Sequence, residues 1–137
     1  MTNDEIRMAN EIRNSNDETG GRDPGDYDLE ERTAVFGERS IAFCKRIPVN
    51  EITRPLISQL VRASMSVGAN YTEANDAESK KDFRHLINRC RKESKECKYW
   101  FRMIVAAVPE LRNAAAPLWK EAKELNLIFA KIWRSSR

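Results

Sequence analysis

The chain has 137 residues, of which 41% are hydrophobic and 33% are charged, enough for one compact domain. Only 5 glycines and 5 prolines are present, too few for the many tight turns of an all-β fold, so this fold is disfavoured and long helices are favoured. The formal net charge of +3, taken over the whole chain, points to no particular partner.

The charge is unevenly distributed along the chain. Residues 1–28 contain eight acids and three bases, a net charge of −5, and include the linker-like run GGRDPGD. An imperfect six-residue repeat (NDEIRM, ANEIRN, SNDE) lies in the same segment. We interpret residues 1–28 as a disordered acidic tail, either dispensable or able to bind a partner as a helix. Residues 29–137 carry 21 bases and 13 acids, a net charge of +8, and form the predicted folded domain.

Apolar spacing predicts two helices directly after the tail. The first covers residues 29–46 and ends before Pro48. The second runs from residue 52 to Asn75, with Asn50 as its N-cap and Pro55 in its first turns, where the missing N–H is tolerated. Gly68 indicates close approach of a neighbouring helix or a bend, with simple tolerance as the alternative. The apolar residues that define these helices are Leu29, Phe36, Phe43, Ile47, Ile52, Leu56, Leu60, Ala63, Val67 and Tyr71.

Two further helices show a heptad pattern. The third opens at Ser79, which forms a capping-box variant with Asp82, and closes before Pro109. Its apolar seam is Phe83, Ile87, Cys90, Ser94, Cys97, Phe101, Ile104 and Val108. The fourth has the seam Leu111, Ala115, Leu118, Ala122, Leu125, Phe129 and Ile132. A short connection makes these two helices antiparallel, and the first two complete an all-α, antiparallel up-down four-helix bundle.

No catalytic or cofactor motif occurs: the sequence has no phosphate loop, no nucleophile elbow and no H-E-x-x-H pair. The single histidine, His85, falls on the outer face of the third helix, and we interpret it as a solvated or interface residue. Glu93 and Glu96 occupy g and c positions, flank different sides of the helix, and are expected to pair with Lys or Arg. We therefore expect a non-enzymatic protein with no cofactor and no metal.

The cellular location is predicted from what the sequence lacks. No apolar run approaches the roughly 18 residues of a membrane-spanning helix, and the polar start lacks the apolar region of a secretory signal. We therefore expect a soluble, cytoplasmic protein. Cys44, Cys90 and Cys97 form no C-x-x-C pair and lie in apolar periodic segments, so we interpret them as reduced core thiols.

A basic stripe on the third helix is the strongest functional signal. Six of the seven b and e positions between residues 81 and 102 are basic, along a line of ~32 Å. These residues are Lys81, Arg84, Arg91, Lys95, Lys98 and Arg102. The stripe is either a solvated helix face or a site for an anionic partner. Nucleic-acid phosphate fits such a stripe without base-sequence readout, and acidic surface of another protein or subunit would satisfy it equally well.

Tryptophans lie off the apolar seams. Trp119 and Trp133 are on one side of the fourth helix, and Trp100 with Tyr99 is off the seam of the third. Large aromatic residues are favoured in protein interfaces, so Trp100, Trp119 and Trp133 are predicted at an oligomer interface, with loose partial burial as the alternative. These aromatics are not interleaved with the basic row, which makes them weaker candidates for base stacking.

Several motifs resemble one known protein family. SVGANYTEANDAESKKDF at residues 66–83 and KESKECKYW at residues 92–100 resemble the four-helix bundle proteins encoded in intervening sequences of bacterial 23S rRNA genes, also called S23-like. The first helix adds FGERSIAF, and many members carry glycine where this chain has Ala74 or Asn75. The matching positions are Arg62, Ser66, Val67, Ala69, Asn70, Glu73, Ser79, Lys81, Asp82 and Phe83.

The resemblance implies a bundle that assembles into a homopentameric barrel. It extends to the accessory variability protein of diversity-generating retroelements, a basic pentamer that binds nucleic acid and a reverse transcriptase. Together with the stripe, this leads us to expect an oligomer that binds RNA or DNA through the third helix, as an accessory ribonucleoprotein or reverse-transcriptase partner. The alternative is a protein-interaction scaffold with no nucleic-acid role.

Overall fold

The computed structural model describes residues 28–137, which fold into four α-helices. They are α1 (Leu29–Cys44), α2 (Thr53–Asn75), α3 (Lys80–Ala107) and α4 (Arg112–Ser135), with a 3-10 turn at Pro109–Leu111 between the last two. No strand occurs in this part of the chain. The predicted all-α four-helix architecture is confirmed. The predicted acidic tail and its repeat, apart from Asp28, lie outside the described residues.

Neighbouring helices run in opposite directions. Val67 of α2 accepts a hydrogen bond from the Cys90 thiol, whereas Arg62, one turn earlier in α2, reaches Glu96, later in α3. Each helix packs against the next in the chain, and α1 also contacts α4. None of the helices between residues 28 and 137 is long and apolar enough to cross a membrane.

Side-chain hydrogen bonds cap the start of α1 and the turn before α2. The Asp28 carboxylate accepts hydrogen bonds from the backbone N–H groups of Glu30 and Glu31, at 3.0 and 3.3 Å. The side-chain oxygen of Asn50 accepts hydrogen bonds from the backbone N–H groups of residue 52 and Thr53, both at 2.9 Å. In return, the backbone N–H of Asn50 donates to the Thr53 hydroxyl. This reciprocal arrangement satisfies N–H groups in the turn that leads into α2. The N-cap position of α2 itself is residue 52, which makes no side-chain cap bond, so Asn50 caps the preceding turn rather than the helix as predicted.

The end of α1 lies earlier than predicted. α1 stops at Cys44 rather than at residue 46. The N–H groups of Arg46 and Ile47 bond to carbonyls three residues back, at 3.0 and 3.1 Å, which tightens the backbone into turns. Pro48 keeps Ile47 out of the helix, because a proline disfavours the helical conformation of the residue before it. The two residues between Cys44 and Ile47 belong to the tightened last turn, where a helix end ordinarily varies by one or two residues.

Both heptad seams form the core. From Ile87 to Ile104 every seam residue of α3 is buried. The second seam is buried from Leu111, which lies in the 3-10 turn before α4, to Phe129. Ser94, the one polar member, donates its hydroxyl hydrogen to backbone carbonyl oxygens one turn back, at 2.8 and 3.0 Å. These bonds satisfy the buried hydroxyl. With the seam facing the core, the basic b positions of α3 are exposed and the e positions are half-buried.

Gly68 lies where α1 and α2 meet. A Cβ added to it would stand 3.4 Å from the Thr33 hydroxyl oxygen on α1. This distance is at the border of ordinary van der Waals contact, so α1 lies close to Gly68 but a Cβ at this position would fit.

Candidate nucleic-acid interface

The six basic residues predicted as a stripe divide into two rows on α3. The cap at Ser79, whose hydroxyl accepts the Asp82 N–H at 3.1 Å, starts the helix, and the buried seam sets its rotation. The outer row, at the b positions, is exposed and consists of Lys81, Lys95 and Arg102. The inner row, at the e positions, is half-buried beside α4 and consists of Arg84, Arg91 and Lys98.

Two arginines of the inner row pack on one tryptophan of α4. The guanidinium carbons of Arg84 and Arg91 lie 4.2 and 5.0 Å from the centroid of the Trp133 ring. The Arg91 Nε donates a hydrogen bond to the Asn88 side chain. The backbone carbonyl of Arg91 accepts one from the side-chain amide of Asn126 on α4, at 2.7 Å. Cation–π contacts of this kind are worth ~0.5–2 kcal/mol each. These two arginines therefore help to join α3 to α4.

Near the start of α4, the packing around Trp119 is less tight than around Trp133. Trp119 is 38% exposed. Its ring centroid lies 6.0 Å from the Lys98 ammonium and 5.7 Å from that of Lys123. Both distances are near the outer limit of a cation–π contact. The ring is thus surrounded by positive charge but not tightly covered.

The expectation that the aromatics lie apart from the basic row is wrong. Trp119 and Trp133 flank the seam of α4 on the side that faces α3, so they meet the e positions of the antiparallel neighbour. Heptad positions in one helix do not by themselves reveal which residues of the next helix stand opposite. The interface role predicted for Trp100, Trp119 and Trp133 stays a prediction, although each of these side chains already has a polar or charged neighbour within the chain.

An open groove adjoins Trp119 where α3 ends and α4 begins. Its cavity volume is about 520 Å³. The walls include Phe101, Val105 and Pro109, and its charged lining residues are Arg102 and Arg112. The groove therefore joins an apolar surface to a purely positive rim.

Glu93 and Glu96 both bind one arginine of α2. Arg62 Nη1 lies 3.2 Å from Glu93, and its Nη2 contacts Glu96. Glu96 also accepts a hydrogen bond from the Trp100 indole N–H at 2.9 Å. The predicted pairing with Lys or Arg is confirmed. The expectation that the two carboxylates flank different sides of the helix is wrong, because residues three apart are neighbours on one face.

A second ion pair, which the sequence analysis missed, joins α1 to α4. Arg32 donates to Glu121 through both Nε and Nη2, at 2.9 and 2.8 Å, and also to Glu124. The hydrogen bond to Glu121 raises the pKa of Arg32, although burial opposes the shift. The partners are 89 residues apart in sequence, so no local pattern could have revealed them.

All three cysteines are buried free thiols, as predicted. Burial raises the pKa of Cys44 to about 11 and that of Cys90 to about 12, and it also raises the pKa of Cys97. Since the thiolate is the reactive form, these groups are unreactive at neutral pH.

We expect a thiol-specific chromogenic disulfide reagent at about pH 8 to label no cysteine of the native protein and all three after unfolding in urea. Above the ordinary thiol pKa of 9.0, the unfolded chain loses thiol protons that the native chain keeps. The free energy of unfolding should therefore fall from pH 9.0 upward, through about 11 for Cys44 and about 12 for Cys90. A variant with alanine at all three positions separates this loss from lysine and tyrosine titration, and rapid labelling of native protein would contradict the assignment.

His85 is exposed on α3, as predicted. Within residues 28–137, no group of three or more His, Cys, Asp or Glu side chains is placed to hold a metal ion.

The chain is similar to known bundle proteins. A family model described as 23S rRNA-intervening sequence protein matches residues 26–131. A protein of unknown function from the S23 ribosomal protein family of Bacteroides thetaiotaomicron has a solved structure that is 26% identical, with a TM-score of 0.69. The alignment covers 77% of this chain and 97% of that one. No curated protein matches the chain.

The family match spans α1, α2 and α3 and nearly all of α4, and it includes every residue of the basic stripe. The resemblance seen in the motifs around Arg62 and Phe83 is therefore confirmed. The chain belongs to the 23S rRNA-intervening sequence protein family.

Proposed function

We propose that this chain is a non-enzymatic, oligomeric bundle protein that binds the phosphate backbone of RNA or DNA through the outer face of α3 and α4. The observation that carries the proposal is the outer row, Lys81, Lys95 and Arg102, which is exposed and has no acid among its b and e neighbours. Together with the inner row it places basic side chains three or four residues apart from residue 91 to residue 102, and like charges at this spacing repel, so the set fits an anionic ligand. Its length of ~32 Å is close to one turn of B-DNA.

The proposed binding is independent of base sequence. The row offers one amide that could pair with an adenine edge, Asn88, and its other members are charged groups of the kind that bind phosphate. The side-chain oxygen of Asn88 already accepts a hydrogen bond from Arg91 at 2.9 Å. Charged groups that contact phosphate position a protein on the backbone without selecting bases.

The test is a triple variant with glutamine at Lys95, Lys98 and Arg102. Binding to RNA and DNA of several sequences should weaken uniformly. The slope of the logarithm of affinity against the logarithm of salt concentration should flatten by ~0.9 for each phosphate of duplex DNA that the variant no longer neutralises. Fluorescence anisotropy over a salt series measures both quantities.

A matched control removes the same charge elsewhere. Lys45, Arg46 and Arg54 are exposed near the connection between α1 and α2, and replacing them with glutamine should change the salt slope much less. Equal losses from both triple variants would mean that only net charge matters. Absence of RNA and DNA binding by the unmodified protein at low salt would contradict the proposal.

We also propose that the chain self-associates, with a pentamer as the assembly that the family resemblance implies. Tyr99 is 54% exposed and packs edge-on against Trp100, with ring centroids 5.1 Å apart. Exposed aromatic pairs of this kind are typical of protein interfaces. A reverse transcriptase is the protein partner that the same resemblance suggests.

The second candidate function is a protein-interaction scaffold, favoured by the intramolecular packing of Arg84 and Arg91, which leaves fewer free charges for phosphate. In that case the outer row meets acidic surface of a partner or of the next subunit. Native mass measurement at low and high salt separates the two, because an assembly that dissociates in high salt places the row in a subunit interface.

A further inference from the structure

The groove between the end of α3 and the start of α4 has features that phosphate binding alone does not need. One wall is Trp119, and apolar side chains such as Val105 and Pro109 complete the surface. Arg102, a member of the outer row, and Arg112 at the first position of α4 supply its charge. A volume of about 520 Å³ is within the range of small-ligand sites.

We propose that this groove seats one unpaired base of a single-stranded nucleic acid, stacked on Trp119, with the flanking phosphates on Arg102 and Arg112. The inference rests on the proposed function and names the form of nucleic acid that the site prefers. A base is a planar aromatic ring between two anions, and the groove offers an aromatic wall between two cations. An acidic peptide would match the charges but would leave the aromatic wall without a stacking partner.

Trp119 is the tryptophan of this face that is available for stacking. Trp133 is occupied, because Arg84 lies 4.2 Å from its ring centroid. The ammonium groups near Trp119 lie at 5.7 and 6.0 Å, and the long lysine side chains can turn from the ring to phosphates. In a duplex the bases are already stacked on each other and cannot enter a groove beside the backbone. Base stacking therefore favours single strands, whereas the outer row binds either form.

The test compares three labelled ligands of about 20 nucleotides by fluorescence anisotropy: oligothymidylate, an abasic single strand with the same phosphates, and a mixed-sequence duplex. The unmodified protein should bind oligothymidylate about tenfold more tightly than the abasic strand, a ratio within the range for one stacked base. This comparison needs no mutation, so it holds even where a variant fails to fold.

Variants test whether the affinity ratio between oligothymidylate and the abasic strand depends on the groove. Trp119→Leu should bind the two single strands equally and the duplex as before, and Trp119→Phe should keep most of the ratio. Leu127→Ala, which removes an exposed apolar side chain of α4 outside the groove lining, should leave the ratio unchanged.

Each other outcome is decisive. Equal binding of thymidylate and abasic strands by the unmodified protein overturns the groove proposal and leaves phosphate binding standing. No binding of any of the three ligands overturns phosphate binding itself. A Trp119→Leu protein with an altered native mass and an unchanged ratio places Trp119 in a subunit interface and also overturns the groove proposal.

Discussion

Replacement of Phe101 with alanine should lower the free energy of unfolding by about 3–5 kcal/mol, the largest effect expected of any substitution considered. Phe101 is 1% exposed. Its ring packs edge-on against two rings of α1, with centroids 6.4 Å from Phe36 and 5.5 Å from Phe43. Alanine would leave a cavity at the point where α1 and α3 meet across the bundle. Urea denaturation followed by circular dichroism measures the loss.

Tyr99→Ala is the matched control, because it removes an aromatic ring two residues away on the same helix. Tyr99 is 54% exposed, so its loss should cost less than about 1 kcal/mol. Similar losses from the two variants would mean that helix propensity, rather than packing, dominates at this end of α3. A loss below about 1 kcal/mol for Phe101→Ala would show that the surrounding side chains collapse into the space.

The buried residues of α3 and α4 could be predicted because a heptad repeat allows one core-facing stripe. Steps of four and three from Ile87 to Ile104 fix which side of α3 is buried, and the structure agrees at every step. The same logic predicted α4 in spite of Pro117, which lies inside that helix. At Pro117 the helix lacks one backbone hydrogen bond. The packing of the apolar face of α4 along its whole length stabilises the helix by more than this loss costs.

Contacts between helices could not be predicted in the same way. The pairing of Arg32 with Glu121 depends on how α1 and α4 are rotated and shifted relative to each other, and this is settled only when all four helices pack. The same holds for Arg84 against Trp133. The candidate site was therefore predicted as a row on one helix, whereas its aromatic half comes from another.

Replacement of Glu121 with alanine is expected to be the second most damaging change. Its carboxylate accepts two hydrogen bonds from Arg32, at 2.8 and 2.9 Å, and the side chains are 10% and 20% exposed. Hydrogen bonds to charged groups contribute ~1.5–3 kcal/mol, and an arginine left half-buried with one fewer acceptor adds a desolvation cost. We expect the free energy of unfolding to fall by about 2–3 kcal/mol, measured by urea denaturation at neutral pH.

Glu124→Ala provides the control, because Glu124 binds the same arginine from a side chain that is 49% exposed. Its loss should cost less than about 1 kcal/mol and should shrink further in high salt, whereas the effect at Glu121 should persist. Replacing both Arg32 and Glu121 with leucine should restore part of the stability, because it removes the buried charge together with its partner. If the two single glutamate variants are equally stable, or the double variant is less stable than Glu121→Ala, then the ion pair does not join α1 to α4 in the way its geometry indicates.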